Sequence, residues 1–148
     1  MDRLAFKDKL LGLIQNIDQA YPVELAYLFG SYAKGTDHSE SDIDVALLFK
    51  HKYEEREELL ILGRVINEGE KLLRKKVDVV SLSKASPLLK YEIIREGIIL
   101  KDSIRRGSFE SFALREYFDF RYYSEIYNQA MLKRLTKGTY FGGDAGGK

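Results

Sequence analysis

At 148 residues the chain is long enough for one domain of ordinary size with a proper core. Its 24 basic and 23 acidic residues leave a formal net charge of +1, so no strong global field argues for nucleic acid or for a membrane surface. The absence of cysteine excludes disulfides and thiolate metal sites, no apolar run approaches the roughly 20 residues of a membrane span and the start is not signal-like, so a cytoplasmic protein with no membrane partner and no direct nucleic-acid binding is expected.

Asp2 can cap a first helix, in which Phe6, Leu10, Leu13, Ile14 and Ile17 recur at helical spacing. The helix should stop before Tyr21-Pro22, because proline disfavours helical backbone at and before itself. The apolar run from Leu25 to Phe29 reads as a buried strand. Gly30-Ser31 turns the chain into a polar loop from Ala33 to Ser41, and Asp42-Ile43-Asp44 opens a second apolar run through Phe49. That run is hydrophobic on both faces past the aspartates, which predicts a central strand.

From Glu54 to Arg74 the pattern is amphipathic and helical, with Leu59, Leu62, Ile66, Gly69 and Leu73 on one stripe. Val77 to Leu82 is rich in β-branched residues and predicts a strand, with Asp78 interrupting an otherwise continuous core. Ser86-Pro87 is a good cap and first turn, and Gly97 a good stop, for a helix that turns Leu89, Ile93 and Ile94 inward. Ile98 to Leu100 can add a short edge strand. From Ser108 the composition becomes aromatic and helical as far as Lys137. Phe109, Phe112, Phe120, Tyr123 and Tyr127 form one stripe, with Tyr117, Phe118 and Tyr122 off it. Such a helix has more apolar surface than its own domain needs to bury, which predicts a partner. The glycine-rich end, Gly142 to Lys148, predicts disorder. The order of elements predicts an α/β (α+β) chain: a small mixed sheet with helices packed on one side over residues 1–104, a helical segment over 105–138 and a disordered tail over 139–148.

The chemistry concentrates between residues 30 and 78. Side chains alternate along a strand, so Asp42 and Asp44 share a face, about 6.6 Å apart along the backbone. Two carboxylates on one face of a buried strand are costly unless a cation lies between them, and Mg²⁺ suits carboxylates joined by substrate phosphates. Gly30 lets the backbone come close to a ligand, and Ser31 offers a hydroxyl and backbone N–H groups to a phosphate. Lys34 can reach a phosphate, although an exposed lysine is as readily a solvated one, and Ser39 and Ser41 are weaker candidates beside the acidic pair. His38 and His51 have no ligating company in the sequence and read as exposed.

Gly30-Ser31, ten residues and then Asp42-x-Asp44, set in Phe-Gly-Ser-Tyr-Ala-Lys-Gly-Thr, resembles the signature of the DNA polymerase β-like nucleotidyltransferases. The short chain looks like their minimal (MNT) branch, and the resemblance covers roughly residues 20 to 102. It implies the minimal nucleotidyltransferase fold, followed by C-terminal helices. It also implies a two-metal transfer from ATP with two Mg²⁺ ions, Asp42, Asp44 and Asp78 as catalytic and metal-binding carboxylates, and Gly30, Ser31, Lys34 and Ser41 around the nucleotide. Members of this branch are often antitoxins paired with a HEPN-domain toxin, which implies AMP transfer to a toxin tyrosine. An aminoglycoside-type transfer to a small molecule and a non-catalytic binding antitoxin are the alternatives.

Overall fold

The computed structural model describes residues 3–137. The cap at Asp2 and the tail over 139–148 lie outside the described residues. The chain order is α1 (Arg3–Ala20), β1 (Val23–Phe29), α2 (Ser31–Lys34), β2 (Ile43–Phe49), α3 (Glu55–Leu73), β3 (Val77–Ser81), α4 (Pro87–Glu96), β4 (Ile98–Lys101) and α5 (Arg106–Thr136). The strands form one mixed sheet in the order β3-β2-β1-β4. β1 runs antiparallel to both of its neighbours, whereas β2 and β3 are parallel and joined by α3, as a parallel pair requires. β2 is central, as its two-sided hydrophobicity predicts.

α1 ends where Tyr21-Pro22 prevents its continuation. The Tyr21 N–H donates to the Ile17 carbonyl at 2.7 Å, and Val23 N–H donates to the Asp18 carboxylate at 2.7 Å, closing the turn into β1. Phe6, Leu10, Leu13, Ile14 and Ile17 are all buried, so the helical spacing places them correctly. Ser86 caps α4, its hydroxyl accepting from Leu89 N–H at 3.2 Å with Pro87 in the first turn.

Helices cover both faces of the sheet rather than one. α1 and α3 pack with Ala26, Leu28, Ile43, Val45 and Leu47 in one core cluster. α4 and the start of α5 pack with Leu25, Tyr27, Ala46 and Leu82 in a second. The strands alternate apolar side chains on both sides, so each face has a core to bury, at about 1.5–3 kcal/mol for each large aliphatic side chain. No helix among the described residues is long and apolar enough to cross a membrane.

Two helical stripes differ from expectation. In α3 the buried line is Glu58, Ile61, Val65, Gly69 and Leu73, while Leu59 is 63% exposed. The stripe is turned by one residue, and Glu58 is admitted to the interior by Lys84, whose ammonium lies 3.1 Å from its carboxylate. In α5 Phe109, at the start of the expected stripe, packs into the second cluster, and Tyr117, outside that stripe, stacks on Tyr91 with centroids 4.0 Å apart. Phe112, inside the expected stripe, is exposed. The start of α5 is tied to the middle of the sheet by the Tyr27 hydroxyl, which donates to Glu110 at 2.7 Å. Burial, and then that bond, push the Tyr27 pKa upward, so the phenol remains a donor at neutral pH.

Candidate active site

β1 leads into the site and β2 leads out of it. They are antiparallel neighbours with Phe29 opposite Asp44, which brings Gly30 against the Asp44 side chain. Gly30 has φ 74° and ψ −155°, a conformation open to glycine, and a Cβ there would run into Asp44 Oδ2. Two separate constraints therefore require glycine at this position. The Gly30 carbonyl accepts from Ala33 N–H and Lys34 N–H, each at 3.1 Å, and so winds the single turn of α2. The expected loop from Ala33 thus begins as helix. Tyr32 fastens this turn to α1 by stacking on Phe6, with centroids 5.1 Å apart.

Asp42 and Asp44 have the same parity as Ala46 and Leu48, whose side chains belong to the α4 face of the sheet. β3 lies parallel to β2 with Asp78 opposite Asp44, so three carboxylates come to one end of the sheet beside Gly30-Ser31. Burial first, then the Asp78 charge and then the Asp42 charge, raise the Asp44 pKa above its ordinary 3.8. Asp78, expected to interrupt a continuous core, is instead exposed on the edge strand, open to an incoming molecule. Among the described residues no three His, Asp or Glu side chains are gathered into a ready metal-ligating group. The donor set nevertheless suits a hard divalent cation. It offers only carboxylate oxygens, their mutual repulsion is what a cation would relieve, and substrate phosphates can supply further ligands.

The other expected residues lie less directly in the site. Lys34 is one turn from Ser31, and its ammonium sits 3.1 Å from Glu96 at the end of α4. Arg95 reaches the second oxygen of Glu96 at 3.6 Å. Ser41 uses its hydroxyl to accept from His38 N–H at 2.9 Å, which shapes the turn ahead of Asp42. His38 is exposed and accepts from Glu40 N–H through Nδ1. Sequence reasoning missed Glu96, which reads as an ordinary acid at a helix end. It also missed the Arg3–Asp37 pair at 2.5 Å that pins the loop between Gly35 and Asp42 to α1. Beside that pair is a cleft of about 290 Å³ lined by Arg3, Tyr32, His38, Ser39 and Lys75 among others. Only the proximity of partners far apart in sequence reveals these contacts.

A raised Asp44 pKa means that the folded chain holds that proton more tightly than the unfolded chain. The associated stability is complete below the unfolded carboxyl value near ~4 and is lost as the pH rises through the higher folded value. At neutral pH the ionised side chain therefore destabilises the metal-free fold. Asp44→Asn should raise the melting temperature of metal-free protein at pH 7, by a few degrees at most because solvent screens a part-exposed carboxylate. The gain should shrink as the pH approaches about 4. Thermal melts of both proteins across this range are the check, and a variant that melts lower at pH 7 contradicts the charge arrangement.

Residues 13–105 match the family model described as polymerase beta, nucleotidyltransferase. A Methanocaldococcus jannaschii protein named as a candidate protein adenylyltransferase is 40% identical over 76 residues, which is 51% of this chain and 77% of that relative. The protein adenylyltransferase MntA of Shewanella oneidensis is 31% identical over 91 residues, 62% of this chain and 61% of MntA, so that match spans less than two thirds of the relative's length. Among solved structures, a Shewanella oneidensis complex of a tri-AMPylated HEPN toxin with its MNT antitoxin aligns with a TM-score of 0.62. The alignment covers 91% of this chain and 99% of the other at 22% identity, and it establishes likeness of fold.

Proposed function

Because the chain belongs to the polymerase beta nucleotidyltransferase family, we propose that it is an antitoxin that transfers AMP from ATP to a tyrosine of a HEPN ribonuclease toxin. The observation that carries the proposal is the set of Asp42, Asp44 and Asp78 at one sheet end, with Gly30 seated against Asp44. The protein acceptor is suggested by relatives named as protein adenylyltransferases and by the AMPylated toxin beside a chain of this fold. The family implies a nucleotide substrate and usually a divalent metal.

In this reading Asp42, Asp44 and Asp78 would hold Mg²⁺, two ions by the family's pattern. Bound there, the metal would lower the pKa of the attacking hydroxyl and offset charge on the departing pyrophosphate. Gly30 and Ser31 bind the phosphates, and the bare Cα of Gly30 allows their close approach. Lys34 exchanges Glu96 for a phosphate oxygen, and Ser41 holds the loop that delivers Asp42. The toxin's phenol oxygen bonds to the α-phosphorus, the bond from that phosphorus to the pyrophosphate oxygen breaks, and pyrophosphate leaves. A tyrosine with a pKa near ~10 must lose its proton at neutral pH, and Asp78, exposed beside Asp44, would accept it. The product tyrosine carries a bulky anionic group that would obstruct RNA at the ribonuclease site.

Titration calorimetry with ATP, with and without Mg²⁺, tests the site before any toxin is added. Wild-type protein should bind ATP at least about tenfold more tightly with Mg²⁺, and Asp42→Asn should lose that difference, since a cation held by few carboxylates depends on each of them. Equal metal-dependent affinity in both proteins would remove Asp42 from the site.

A further inference from the structure

α5 docks on its own domain through only part of its length. Phe109 packs into the cluster around Ile93, Ala113 is buried, Glu116 meets Lys90 at 3.0 Å and Tyr117 stacks on Tyr91. These residues define the side of the helix that faces the domain. At about 100° per residue, Phe120, Ser124, Tyr127 and Met131 fall within about 40° of Ala113, so the docked stripe continues at three- and four-residue spacing. There Phe120 is 49% and Tyr127 63% exposed, because the domain no longer lies beneath the helix. A second stripe, Phe118, Tyr122 and Ile126, runs along roughly the opposite side and is also exposed.

With Tyr123, Leu132 and Leu135, these exposed side chains present roughly 800 Å² of mostly apolar surface, about one partner's share of a standard interface. Pairing with α5 of a second copy would cover one stripe and leave the other in water. A groove between helices of a partner can take both sides of the helix at once. α5 also belongs to the shared fold. It takes 31 of the 148 residues, so an alignment over 91% of the chain with an antitoxin solved on its HEPN toxin has to include the greater part of it.

We propose that the outer half of α5, from Phe118 to Leu135, is the toxin-docking element and enters a groove between helices of the HEPN partner with both stripes. This rests on the toxin reading proposed above.

The test uses the full chain and the HEPN toxin that it would neutralise. Phe120→Glu with Tyr127→Glu breaks one stripe, and Tyr122→Glu with Ile126→Glu breaks the other. Each pair should weaken the complex by at least about a hundredfold, given how aromatic anchors dominate such interfaces. Circular dichroism and thermal melting should stay at wild-type values, since all four side chains are exposed. Wild-type affinity in either pair overturns the proposal, as does a wild-type homodimer in light scattering that Phe120→Glu with Tyr127→Glu converts to monomer. Loss of the complex by these variants alongside a wild-type chain that never modifies the toxin would retain the surface and remove the transfer reading. Transfer at the wild-type rate by both variant pairs, at limiting toxin, would do the reverse.

Discussion

Replacing Asp42 and Asp44 together with asparagine should reduce AMP transfer by at least about a thousandfold, with the chain still folded. Asp44 lies on β2 opposite Asp78, and Asp42 stands just ahead of that strand at the same end of the sheet. Asparagine keeps the shape and removes the charge that would hold a cation against the α-phosphate. Phosphoryl-type transfers leave the protein little to do beyond positioning and charge stabilisation, so no other residue can compensate. Burial and neighbouring acids disfavour the Asp44 charge in the metal-free fold, so the double variant should remain folded. Pyrophosphate release in the presence of toxin, beside a thermal melt, measures both quantities. Transfer within tenfold of wild type would show that other groups carry the reaction.

Gly30→Ala should cost the chain both stability and activity. The positive φ alone costs about 1–3 kcal/mol in a residue with a Cβ. The new Cβ also meets Asp44 Oδ2, so the carboxylate must move or the strand end must open. The melting temperature should fall by roughly 5–10 °C, and transfer should be lost as completely as in the aspartate variant. Gly35→Ala separates the two causes. Gly35 also has a positive φ of 76°, but a Cβ there meets nothing within 4 Å. It should lose about 1 kcal/mol of stability and keep its activity. Equal behaviour of the two alanine variants would mean that the Gly30–Asp44 contact is unimportant.

The parts of this site legible in sequence are those written in neighbouring residues. Gly30-Ser31 at a strand end and Asp42-x-Asp44 at the next strand's start are local patterns, and the antiparallel pairing of β1 with β2 brings them together. Asp78 was also recognisable, as an acid at the start of a β-branched run, although its exposure follows from β3 being the edge strand. The helix phases were not readable in the same way. Leu59-Leu60-Ile61-Leu62 offers apolar residues on every side, so periodicity alone cannot choose the buried line. The line is chosen by the core of α1 and sheet residues that receives Ile61, Val65 and Leu73, and Glu58 on that line is paired by Lys84, which follows β3. In α5, aromatic residues occur all round the helix, and Tyr117 is selected only by Tyr91 on α4. Coverage of both sheet faces is likewise a property of the crossover topology rather than of any one segment. Tight local chemistry is legible in a single chain, whereas the choice between equivalent apolar faces is made by tertiary contacts.

Adenylylation of a HEPN toxin by this chain can be read from the intact mass of the toxin after incubation with the wild-type chain, ATP and Mg²⁺. The expected result is a toxin heavier by one or more AMP units, with the added mass on a tyrosine and ribonuclease activity lost in proportion. A toxin whose mass is unchanged while its ribonuclease is still suppressed would contradict the claim and leave the chain as an antitoxin that acts by binding alone.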